Sequence, residues 1–405
     1  MRLVGLAVTE YIRQNNSEEV PMGAIKAFIC AKMDVGFGTL HLLRAQALAE
    51  AASREGISEI TLWVDSEGAK LIGDKLPKGV NVEVVAGLTP PQEAEALAQK
   101  LKAVVPKRVD ADHKRPLVYL IGGAFDADYQ YALWRAGGEI VVIADDAAPT
   151  VADWFILPNP YASELEVKSL TGYTHFLRGA SYAPLRFESM KAIYSNSDHR
   201  TFASAYAIAT ENLDLAWLPK IVATISSLTP PPEAKGWKPT LTILPSPTCP
   251  SDDELMKAVG DAKGIKVAVS SSRVNGIKEL LKVDLLFSAD NIILQEALAL
   301  GTVRVALPRK GVEGTDMMAD HLVRREASPK MPALKTKDFE EQAAPGLFRA
   351  SFDPSWRRGQ NRIGQYLSDG IGSLRIIRQT AFGVYMTQQN LVRYFEKADP
   401  VIQEI

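Results

Sequence analysis

The chain has 405 residues, 46% hydrophobic and 23% charged, which excludes a disordered chain and points to two domains rather than one core. A net charge of -2 and the absence of any long Lys/Arg run exclude an electrostatic case for nucleic acid. No segment approaches the roughly 20 apolar residues that span a bilayer, and only two cysteines, Cys30 and Cys249, occur far apart, as in reduced thiols of a cytoplasmic protein.

In chain order, the apolar run Leu3–Val8 is too short for a secretory segment and no small-residue cleavage site follows it. Residues 1–21 therefore read as a loose extension. From there to residue 200, short β-branched runs alternate with helical periodicity. Strands are expected at 24–31, 59–64, 80–85, 116–122 and 139–144, with a sixth at 151–158. The clearest helices are 39–55 and 91–104, with apolar residues three and four apart, such as Leu40, Leu43, Ala47 and Ala51. Strand–helix alternation implies βαβ units and a parallel sheet covered on both faces.

Residues 170–235 look irregular and close on the proline-dense "TPPPEAKGWKP", so 201–238 is expected to be a linker region. Alternation resumes with strands at 240–245, 265–271, 283–288 and 303–308 and helices at 251–262, 274–281 and 291–300. Long helical sequence follows, notably 374–397. The expected domains are thus 22–200 and 239–375, with 376–405 a helix returning to the first domain. The fold class is α/β, two Rossmann-like parallel-sheet domains, with ligands expected at the carboxyl ends of the strands in the cleft between them.

The stretch "MDVGFGTLHLLRAQALAEA" carries the first chemistry. Gly36 and Gly38 sit between a strand and a helix, where a residue without a Cβ lets backbone amides approach a ligand. Thr39 is the expected N-cap, which places His41 in the first turn and Arg44 three residues on, facing the same side. The helix N-terminus favours an anion and disfavours imidazolium, so His41 is expected to be a neutral base and Arg44 a grip on phosphate or carboxylate. The remaining histidines show no metal-ligand spacing, and no metal site is expected.

Six segments, in order, resemble the nucleotide-sugar hydrolases of pseudaminic acid biosynthesis, members of the GT-B-like superfamily. "GFGTLHLLRAQALA" resembles the opening glycine–histidine signature through His41, Arg44, Leu48 and Ala49. "FDADYQYALWRAGGEIVVIADD" supplies Asp126, Asp145 and Asp146, and "ADWFILPNP" supplies Asp153 and Asn159. "RGASYAPLRFES" contributes Gly179, Tyr182, Leu185 and Arg186. "VDLLFSADNIILQEALALGTVRVALP" puts Glu296 in the family's glutamate position, and "SDGIGSLRII" resembles its closing tail.

The resemblance implies two Rossmann-like domains of GT-B type and release of UDP from a UDP-linked amino-deoxy sugar. It implies His41 as general base, no cofactor, and substrate contacts from Gly36, Gly38, Arg44, Tyr182, Arg186, Asn291 and Glu296. A glycosyltransferase on the same scaffold is the alternative enzyme. A catalytically inactive binding protein is the other, because Asp290-Asn291-Ile292-Ile293 stands where the family has phosphate-wrapping glycines, and Thr39 and Leu40 separate the glycines from His41.

Overall fold

The computed structural model describes residues 25–33, 37–72, 76–107, 114–189, 201–273, 277–312 and 316–384. Gly36, the extension 1–21 and the end of the last expected helix lie outside these. Twelve strands are described, in two sheets, and every paired strand in both is parallel.

The first sheet has the order β3-β2-β1-β4-β5-β6-β7, from β1 (Lys26–Ala31), β2 (Glu59–Val64), β3 (Val80–Val84), β4 (Leu117–Ile121), β5 (Glu139–Ile143), β6 (Trp154–Leu157) and β7 (His175–Arg178). Successive residues of β1 point to opposite faces. Ala27, Ile29 and Ala31 join an apolar cluster with helix α1 (Leu40–Arg54), whereas Phe28 and Cys30 join one with α3 (Pro90–Val104) and α4 (Ala127–Arg135). Both faces are covered, as continuous apolar strands require. The short α2 (Ser66–Ile72) follows β2.

The second sheet has the order β10-β9-β8-β11-β12. Its strands are β8 (Ala205–Ala209), β9 (Thr240–Leu244), β10 (Lys266–Val269), β11 (Leu285–Ser288) and β12 (Val303–Ala306). Here the expected linker is corrected. Residues 201–238 contain β8, which lies in the middle of this sheet, and the apolar helix α5 (Trp217–Ser227). The prolines after α5 make a loop within the second half. The run "AYAIA" is buried between β9 and β11, and its small residues give little strand signal.

Helices α6 (Asp252–Val259), α7 (Ile277–Leu280), α8 (Ile292–Leu300) and α9 (Met317–Arg324) complete the alternation. Then come α10 (Phe339–Phe352), α11 (Pro354–Leu367) and α12 (Gly372–Phe382). The last packs Leu374, Ile376, Ile377 and Ala381 into the cluster of α1 and β1. It stops at Gly383 in the left-handed region, a glycine C-cap, so the helix expected at 374–397 ends earlier. No helix among the described residues is long and apolar enough to cross a membrane.

Candidate active site

Each sheet reverses its strand order at one place, between β1 and β4 in the first and between β8 and β11 in the second. Ligands of doubly wound sheets gather at such switch points, outside the carboxyl ends of the strands. Here the two points abut. Thr39, just before α1, donates both its backbone N–H (2.6 Å) and its hydroxyl to Glu211, just after β8. Leu40 and Leu43 of α1 share an apolar cluster with Ile292, Ile293 and Ala297 of α8.

On the first-half side lies a cavity of about 490 Å³. Its lining includes Phe37, His41, Gly122, Gly123, Phe125 and Asp145, together with Asp126, Asp128, Gln130 and Asp146. The His41 ring is only 2% exposed, yet it forms part of the wall. Its Nε2 lies 2.9 Å from Asp145 Oδ2. The Nδ1 edge lies against Gly122, where φ is +101° and a Cβ would collide with the imidazole. Gly122 is therefore needed twice, for its backbone and for the room it leaves.

Asp145 is the hub. Its Oδ2 also accepts from Arg44 NH1 at 2.8 Å, and its Oδ1 accepts from Asn159 Nδ2 at 3.0 Å. Burial alone would raise its pKa, but the Arg44 charge and the His41 hydrogen bond outweigh that and hold the carboxyl well below the usual range. An ionised Asp145 requires the imidazole proton on Nε2. In a neutral ring Nδ1, beside Gly122, is then the acceptor, the arrangement a general base needs.

The other expected contact residues have partners among protein groups. Arg44 is fully buried, and its second arm reaches Gln295 Oε1 of α8 at 3.2 Å, so it joins the halves rather than facing a ligand. Gly38 (φ +56°) makes room for Glu211, whose Oε1 would lie 2.6 Å from a Cβ there. Arg186 and Glu296 form a bidentate ion pair, at 2.6 Å for Nε–Oε1 and 2.5 Å for NH2–Oε2, and Ser189 adds a third bond to the same carboxylate. Asn291 caps α8 by accepting from Leu294 N–H, and its amide donates to the Glu211 carbonyl. Tyr182 packs against the first-half core with Arg375 over its ring. Thr39 precedes α1, but its side chain makes no cap hydrogen bond.

The second-half side is tight. A crevice of about 30 Å³, roughly the volume one liquid water occupies, is walled by Thr39, Glu211, Ser246, Arg273, Ile292 and Ile293. Asp290, 1% exposed, accepts from Gln295 Nε2 at 3.4 Å through one oxygen and has no partner for the other. Burial, reinforced by the Asp145 charge, pushes its pKa from 3.8 up to about 7, so below neutrality it is not the anion that its sequence position implied.

A carboxyl with a raised folded pKa stabilises the fold at low pH and loses that contribution as pH rises through the folded value. Asp290→Asn is therefore expected to stabilise the protein at pH 8 by on the order of 2–4 kcal/mol, since each tenfold change in proton affinity is worth about 1.4 kcal/mol. Near pH 5, about one unit above the unfolded value, the same substitution should gain only about 1.5 kcal/mol, well under half of the full linkage effect. Thermal melts at the two pH values check this. Equal effects at both would contradict it.

The resemblance singles out Asp145 and Asp146 but does not pair Asp145 with His41, and sequence reasoning misses Gly122, Gly123 and Glu211. Gly122-Gly123 after an apolar strand is the available signal for the first two. Glu211 follows the unrecognised strand β8 and so carries none.

No protein-family model matches the chain, and none of the curated proteins does. Solved structures do. MurG of Acinetobacter baumannii is similar at a TM-score of 0.57 and 13% identity, covering 88% of this chain and 99% of that one. UDP-GlcNAc 2-epimerase from Neisseria meningitidis, solved with UDP-GlcNAc, is similar at 0.54 and 10%, covering 89% and 100%. The calicheamicin glycosyltransferase CalG4 is similar at 0.51 and 12%, covering 92% and 99%. These likenesses extend over nearly the whole chain, and with the two parallel sheets they show that it has the GT-B fold.

Proposed function

We propose that the chain hydrolyses a UDP-linked amino-deoxy sugar, with His41 as general base. The observation that carries this reading is the His41–Asp145 pair on the wall of a ligand-sized cavity at the first switch point. Asp145 holds Nε2–H, and Nδ1 takes a proton from water as the water oxygen bonds to the anomeric carbon. The nucleoside diphosphate leaves with the electrons of the broken C–O bond. Water is then the acceptor a transferase would replace with a sugar hydroxyl. Binding of UDP-GlcNAc by the similarly folded epimerase is consistent with a nucleotide-sugar ligand here. Incubation with UDP-linked amino-deoxy hexoses, both N-acetylated and with the amine free, with UDP release followed, tests the reading; absence of release from every one of them contradicts it.

A second reading, a GT-B-fold binding protein without catalysis, is favoured by one observation. The crevice beside α8 is too small for a diphosphate, and Ile292 and Ile293 fill the place of the family's glycines. The two readings diverge on nucleotide binding. For a ligand at 100 times its dissociation constant the gain is about 2.7 kcal/mol, which a melting curve resolves. The hydrolase reading requires UDP to raise the melting temperature, the crevice widening to admit it. An unchanged melting temperature supports the second.

A further inference from the structure

We infer that the ring placed against His41 carries a free, unacylated amino group, held as an ammonium by the carboxylates at the start of α4. This deepens the proposed function and rests on it for the role of His41. The cavity lining includes Asp126, Asp128, Asp145 and Asp146, and no Lys or Arg among the described residues. Asp145 is committed to His41, Arg44 and Asn159. Asp126 accepts the Tyr129 N–H through Oδ1, which caps α4, and its second oxygen has no partner among the described residues. Asp128, one residue into the helix, has no cationic partner there either. Both are exposed, and both line the cavity.

Capping and the helix dipole explain why acids are tolerated at this position. They do not explain why the cations that approach this cavity are committed to other acids, Lys32 (over Phe125) to Glu93, Arg309 (over Phe37) to Asp316 and Arg44 to Asp145, which leaves Asp126 and Asp128 with no cation among the described residues. Two such carboxylates attract a cation. The buried His41 supplies the second sign of a ligand. Its ring is almost wholly covered, yet Nδ1 stands at the cavity wall with no partner among the described residues. Phe125, Val142, Ala144 and Phe155 give the remaining wall an apolar surface for the face of a ring.

The test uses plain monosaccharides, so it does not depend on nucleotide binding or turnover. Glucosamine and N-acetylglucosamine are titrated into the full-length protein at pH 6.5 and low salt, with binding followed by NMR. Glucosamine is expected to bind about fivefold tighter or more, the effect of one ion pair near the surface. That preference is expected to shrink with added salt and to vanish in Asp126→Asn/Asp128→Asn, where asparagine keeps the cap. Equal affinities, preference for the acetylated sugar, binding of neither, or a preference that survives the double substitution overturns the inference. UDP release without amine preference would sink this inference alone; amine preference without release would sink only the hydrolase reading.

Discussion

Arg186→Ala is expected to lower the free energy of unfolding by about 3–5 kcal/mol, because it leaves the buried Glu296 carboxyl with the Ser189 hydroxyl but no cation. Glu296 is fully buried in α8, and Arg186 and Ser189 reach it from a segment more than a hundred residues away. In that site the bidentate geometry recovers what desolvation costs. Burial alone would lower the arginine pKa, and the Glu296 charge with its hydrogen bonds raises it instead. The pair itself adds little beyond an apolar contact of the same size, so Arg186→Met/Glu296→Leu is expected to recover most of the loss. Urea unfolding of the single and double variants measures both. A loss below about 1 kcal/mol in the single variant would show that the halves are not held by this pair.

His41→Ala is expected to lower kcat for UDP release by about 10²–10⁴-fold, the usual worth of a positioned proton acceptor. KM should change little, since the base acts in the transition state rather than on the bound sugar. The loss needs the ring to be held as the structure holds it. Asp145 fixes Nε2 and Gly122 leaves room for the Nδ1 edge. Steady-state kinetics of the variant check this, and an unchanged kcat would remove His41 from the reaction.

How much of the fold and site is readable in the sequence varies by residue. The β-branched runs of β1, β2, β4 and β5 announce themselves, because strands buried on both faces are apolar at every position. β8 does not, with alanine at three of its five positions, nor does β7, a four-residue edge strand with three exposed residues. His41 stands out in the sequence because it follows a strand and a glycine turn at a helix start, where the field of the helix N-terminus favours a neutral imidazole. Arg44, Arg186, Asn291 and Glu296 are recognisable as chemically apt, and it is the resemblance that implies a substrate for them. Their actual partners, Asp145, Gln295, Glu296 with Arg186, and the Glu211 carbonyl, mostly lie about 80 to 250 residues away. Local spacing cannot tell a side chain that reaches for a ligand from one that reaches for the other half of the protein. Only the topology that brings two switch points together decides it.

The same topology makes the most direct test structural. A crystal structure of His41→Ala with a UDP-linked amino-deoxy sugar should place the anomeric carbon in the cavity beside Gly122, within reach of where Nδ1 stood, and the diphosphate toward the start of α8. A sugar found outside that cavity, with the wall at residue 41 facing only solvent or protein, would contradict the account.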